Sequence, residues 1–67
     1  MKNHIILGFL VTVNDAGRVE SVAKYAGFLK WEGAAVWKKT PEGWEVWRDM
    51  TPAALRRALK KGTAVIF

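Results

Sequence analysis

The stretch Val11-Thr12-Val13-Asn14-Asp15-Ala16-Gly17-Arg18-Val19 decides how this chain folds. Read as strand, turn, strand, it opens the chain with a β-hairpin. Read as strand, cap, helix, it opens the chain with a βα unit. Asn14 and Asp15 suit either, because Asn and Asp both cap helices and start turns. Gly17 favours the turn. A glycine after a type I-compatible pair supplies the left-handed residue that closes a bulged hairpin loop. The helical alternative would line up Val19, Val22, Ala23, Ala26 and Leu29 on one face. Gly17 and Gly27 would each weaken that helix by about 1 kcal/mol. The hairpin reading predicts a second strand from Arg18 to about Tyr25.

The same turn chemistry recurs at Thr40-Pro41-Glu42-Gly43, where Pro41 has the preset φ of position i+1. It is flanked by Ala35-Val36-Trp37-Lys38-Lys39 and Trp44-Glu45-Val46-Trp47-Arg48, both of strand composition. If Thr40 pairs with Trp44, Lys39 faces Glu45, Lys38 faces Val46, Trp37 faces Trp47 and Val36 faces Arg48. Ala35, Trp37, Lys39, Glu45 and Trp47 then share one face, and Val36, Lys38, Trp44, Val46 and Arg48 the other. This pattern predicts Trp44 in the core beside Val36 and Val46, with Trp37 and Trp47 as a cross-strand pair. A one-residue slip would scatter it.

Beyond the hairpin, Thr51 is a good N-cap, Pro52 fits the first helical position, and Gly62 is placed for a left-handed C-cap. Leu55, Ala58 and Leu59 form an inward stripe, and Thr63 to Phe67 read as a terminal strand. The fold class is therefore α+β. The expected order is β-β-β-β-α-β, a small antiparallel sheet with one helix packed on it. The alternative is the ferredoxin-like order β-α-β-β-α-β. Both place Ile5–Val13 as one central strand in a single compact domain, residues 1–67. Its odd face (Ile5, Leu7, Phe9, Val11, Val13) is wholly apolar and is expected to be core. Its even face (Ile6, Gly8, Leu10, Thr12) is mostly apolar too, which suggests a homodimer seam or a partner surface. The run Ile5–Val11 is too short to span a bilayer, which needs about 20 apolar residues. As a signal segment it would meet an unusual cleavage region at Asn14-Asp15.

Charge points to function. The chain has 67 residues, formal net charge +5, four tryptophans, no cysteine and one histidine. The segment Val36–Lys61 holds Lys38, Lys39, Arg48, Arg56, Arg57, Lys60 and Lys61 against Glu42, Glu45 and Asp49, or +4. The residues before it carry Lys2, Arg18, Lys24 and Lys30 against Asp15, Glu20 and Glu32, or +1. Lopsided basic charge beside aromatic rings is the footprint of a surface that meets polyanions. Like charges at i,i+4 (Arg56 with Lys60, Arg57 with Lys61) oppose helix formation mildly, although cations suit the C-terminal end of the helix dipole.

Catalysis is not expected. His4 reads as a surface residue at a strand start, no hydroxyl sits in a nucleophile elbow, and the glycines match no dinucleotide or phosphate loop. One histidine without cysteine cannot build a zinc site, and no cofactor is implied. Cysteine absence fits a reducing cytoplasm.

The expected function is a small non-catalytic nucleic-acid-binding domain. Lys38, Lys39, Arg48, Arg56, Arg57, Lys60 and Lys61 would contact phosphates, and Trp37 and Trp47 would stack on bases. The alternative is a protein-binding inhibitor or adaptor of the mobile-element or phage type. It would use the same residues against an acidic partner surface. No membrane partner is expected, since a proline-glycine hairpin does not suit an all-helical lytic peptide.

Overall fold

The loop at Asn14–Gly17 is a hairpin turn. In the computed structural model, which describes residues 1–67, the Asn14 amide donates to the Arg18 carbonyl at 2.9 Å and the Gly17 amide to the Asn14 carbonyl at 3.0 Å. The Asn14 side-chain oxygen accepts from the amides of Ala16 and Arg18 at 3.0 and 3.1 Å. Gly17 sits at φ 77°, the left-handed conformation that closes the loop. The residues after it are strand, so the ferredoxin-like order does not form.

The chain runs β1 (Lys2–Ile6), β2 (Phe9–Val13), β3 (Val19–Gly27), β4 (Lys30–Ala34), β5 (Val36–Thr40), β6 (Gly43–Val46), α1 (Pro52–Lys61) and β7 (Ala64–Ile66). The fold is α+β, as expected, with the strands divided between two antiparallel sheets. One is the meander β1-β2-β3-β4 and the other has the order β6-β5-β7.

Ile5–Val13 is not one strand. It is a hairpin that turns at Leu7-Gly8, with φ 50° and 88°. Two central residues with positive φ match the two-residue loop whose twist suits paired strands. The turn changes which side chains face inward. His4 pairs with Val11, Ile5 with Leu10 and Ile6 with Phe9. Ile6, Val11 and Val13 are buried, whereas Ile5 and Leu7, both expected in the core, are exposed. A second turn of this kind joins β3 to β4 at Phe28-Leu29, with φ 52° and 61°. Neither residue is glycine, and each left-handed L-residue costs roughly 1–2 kcal/mol. Both turns lie at the same end of the meander, opposite Asn14–Gly17.

The Pro41 hairpin forms with a register one residue tighter than expected. Thr40 pairs with Gly43, Lys39 with Trp44, Lys38 with Glu45 and Trp37 with Val46. Gly43 at φ 131° lets the strand resume directly after Pro41-Glu42. The slip removes the Trp37–Trp47 pair and exchanges the faces of every β6 residue. Trp37, Lys39, Trp44 and Val46 now share a face, opposite Val36, Lys38 and Glu45.

A single apolar cluster joins the two sheets and the helix. Ile6, Val11, Val13, Val19 and Val22 enter it from the meander, Val36, Ala64 and Ile66 from the second sheet, and Met50 and Leu55 from the connection and α1. Val11 and Leu55 are fully buried at 0% exposure, and no polar side chain is buried. The Val19 amide donates to the Met50 carbonyl at 2.8 Å, tying β3 to the segment before the helix. The helix has the predicted ends. The Thr51 hydroxyl accepts from the Ala54 amide at 3.2 Å, Pro52 opens the helix, and Gly62 at φ 78° closes it.

The strained β3–β4 turn makes a quantitative expectation. Phe28→Asn combined with Leu29→Gly, residue types that suit this turn, is expected to raise unfolding free energy by about 1 kcal/mol or more. Urea melts of the two proteins read this directly, and a less stable variant would show that the turn is not strained as described.

Candidate functional site

Helix α1 shows water a strongly basic face. Leu55 is buried, and Ala54, Ala58 and Leu59 pack against the core. That stripe turns Arg56, Arg57, Lys60 and Lys61 to the exposed side. Lys60 and Lys61 lie in the last turn, where the helix dipole favours them.

Opposite this face runs β1, an edge strand of the meander. Between them lies a groove of about 610 Å³. One wall carries His4, Ile5 and Ile6, and the other Arg56, Arg57 and Lys60, with Pro52 and Ala53 from the helix start. No carboxylate lines it. The ion pairs of the molecule lie elsewhere: the N-terminus with Asp15 at 3.4 Å, Lys30 with Glu32 at 4.0 Å, and Lys38 with Glu45 at 3.3 Å. All three are exposed and contribute little to stability. The helix cations therefore have no carboxylate partner, and their charge is directed into the groove and the water beyond it.

The rest of the expected site is distributed differently. Lys38 faces the core side of β5 and pairs with Glu45, while Lys39 stands on the opposite face beside Trp44. Trp37 shares that outer face and is half-buried. Trp47 packs against the core cluster instead of presenting its ring to a ligand. Trp44, expected in the core, is 49% exposed. Arg48 is exposed and borders a smaller hollow of about 270 Å³ with Trp47, Glu20 and Met50. Lys61 is exposed but does not line the groove. Thus the fold gathers Arg56, Arg57 and Lys60 along the groove, whereas Trp37, Lys38, Lys39, Trp47 and Arg48 do not line it.

His4 is on the surface, as expected, but lies within β1 and not at its start. Its place in the groove wall follows from the Leu7-Gly8 turn, which folds β1 back against β2. No three His, Asp or Glu side chains come together as a candidate metal site. No helix is long and apolar enough to cross a membrane. No protein-family model, no curated protein and no solved structure matches the chain.

The tryptophan placements are testable by stability. Trp47→Ala is expected to cost about 2 kcal/mol or more, because it opens space against the core. Trp44→Ala is expected to cost less than about 1 kcal/mol, as for an exposed position. Thermal or urea unfolding of the two variants checks the order, which is the reverse of the order the Thr40–Trp44 register implies.

Proposed function

We propose that this protein is a non-catalytic nucleic-acid-binding domain whose groove between β1 and α1 takes the phosphate backbone. The observation that carries this reading is the groove itself: Arg56, Arg57 and Lys60 line it with His4, and no carboxylate does. Three unpaired cations along one helix face suit a repeating row of phosphates. The formal net charge of +5 adds long-range attraction. With Trp47 packed inward, the groove has no aromatic platform, so binding rests on phosphate contacts and is not specific for sequence. Lys39 and Trp44 on the outer face of the second sheet are a secondary contact for a strand that wraps further.

One feature favours a second reading. The free edge of β1 borders the same groove, so an extended acidic segment of a protein partner could add there as a further strand. Its carboxylates would meet the helix cations. This is the inhibitor or adaptor function in structural form.

Fluorescence anisotropy with labelled single-stranded and duplex DNA, across a range of salt, separates the readings. The expected result is affinity that falls steeply with salt. The Arg56→Ala/Arg57→Ala/Lys60→Ala variant is expected to lower the log–log salt slope by roughly 2–3, at about 0.7–0.9 per lost phosphate contact. Lys38→Ala, which removes a cation already paired with Glu45, is expected to change binding little. Absence of DNA binding at low salt, together with binding of a labelled poly-glutamate peptide that the triple variant loses, would transfer the groove to the acidic-partner reading.

A further inference from the structure

Away from the β2–β3 bulge, where Glu20 is exposed, the outer face of the four-stranded sheet carries no charged residue. Following the strand registers, it consists of Asn3, Ile5, Leu10, Thr12, Ser21, Ala23, Tyr25, Trp31 and Gly33. The charged residues paired within these strands (Lys2, Lys24, Lys30 and Glu32) lie on the other face, at the margins of the core. An antiparallel sheet with one solvated side ordinarily turns its apolar residues inward, as Val11, Val13, Val19 and Val22 do here, and its charged residues outward. Here the side away from the core is the neutral one. Ile5 is 57% exposed, and Tyr25 and Trp31 meet edge to face with centroids 5.4 Å apart without being buried.

From this face we infer a binding surface for a second copy of the same chain, packed sheet on sheet. Two observations select that occupant. The first is electrostatic. Molecules of formal net charge +5 repel one another, so copies meet at least cost where cations are fewest, and the outer face of the meander presents none. The second is shape. One continuous row crosses all four strands: Ile5 beside Leu10, Leu10 beside Ala23, Ala23 beside Gly33. Side-chain size falls along it from β1 to β4. A two-fold axis lying between the sheets and along the strands reverses the row in the partner. Ile5 and Leu10 of one copy then cover Ala23 and Gly33 of the other, and the same contact is made twice, as a closed symmetric interface requires. The same axis brings Tyr25 and Trp31 over the Leu7 end of the partner's β1–β2 hairpin. Sheet faces pack about 10 Å apart with side chains interleaved in this manner.

The shared part of the sheet, about five residues along each strand, makes a patch roughly 17 Å on a side. That places the interface below the size of standard specific ones, so association is expected to be weak. Ile5, at the sheet edge, borders the groove as well as this face, but the other residues of the face lie outside the groove, so self-association does not require the groove to bind nucleic acid.

Gly33 supplies a variant that separates dimerisation from folding. Its φ is not in the left-handed region, and a Cβ built there meets nothing within 4 Å. Gly33→Val therefore fits the monomer and has better strand propensity, yet it fills the notch that receives the partner's Ile5. Sedimentation velocity of the full chain from about 1 to 500 µM is expected to show mass rising from one copy of 7.5 kDa toward two. Gly33→Val and Leu10→Lys, each checked for folding by circular dichroism, are expected to weaken association at least tenfold. A wild-type chain that stays monomeric throughout, or a folded Gly33→Val that dimerises as well as wild type, would overturn the inference. Should Leu10→Lys fail to fold, Gly33→Val alone decides it.

Discussion

Everything in this molecule depends on one thin apolar seam. Ten side chains, none polar, are shared by two sheets and a short helix, and only Val11 and Leu55 reach complete burial. A chain of this size has little apolar area to spare. The seam therefore constrains which residues can stand elsewhere. Once β2, β3, β5, β7 and α1 commit their inward residues to it, the opposite side of each element is left to water or to a partner. The basic groove and the neutral sheet face are both consequences of that commitment. One is the exposed side of α1 and the other the exposed side of the meander.

Charge and apolar surface are consequently sorted into separate regions. Four unpaired cations gather on the helix, the three ion pairs lie elsewhere, and uncharged residues occupy most of the outer face of the meander. Salt should act on these regions in opposite directions. Screening weakens attraction of the groove for an anion, and it also relieves the repulsion that keeps copies apart. Ionic strength would thus shift the protein from one kind of contact toward the other.

Legibility in the sequence followed the range of the interaction. Thr51, Pro52 and Gly62 mark the helix ends through bonds made within a turn, and all three are found in those roles. Gly17 and Gly43 mark their loops for the same reason. Phe28-Leu29 escaped because leucine and phenylalanine do not ordinarily enter left-handed backbone, and at Leu7-Gly8 the lone glycine signal was masked by the apolar run around it. That one hidden turn reversed the inward assignment at Ile5 and Ile6. At Thr40–Gly43 the loop was visible but its length was not, and one residue of register moved Trp44 outward. The candidate site had a similar fate. The helix cations were readable from composition and periodicity. Their neighbour His4 was not, since β1 and α1 meet only in three dimensions.

The second sheet also carries a kinetic consequence. Its central strand, β5, joins β6 across a two-residue loop, but joins β7 by pairing Val36 with Ile66 and Lys38 with Ala64. Every other strand pairing in the molecule is between neighbours in sequence. Among the strand pairings, loop-closure entropy is therefore concentrated in a single event, the return of the chain over α1 to the free side of β5. The helix between those strands shortens the span to be closed and holds Leu55 ready to dock. Assembly of the hairpins can be early and local. The moment at which β7 finds β5 completes the second sheet and brings Ala64 and Ile66 into the core.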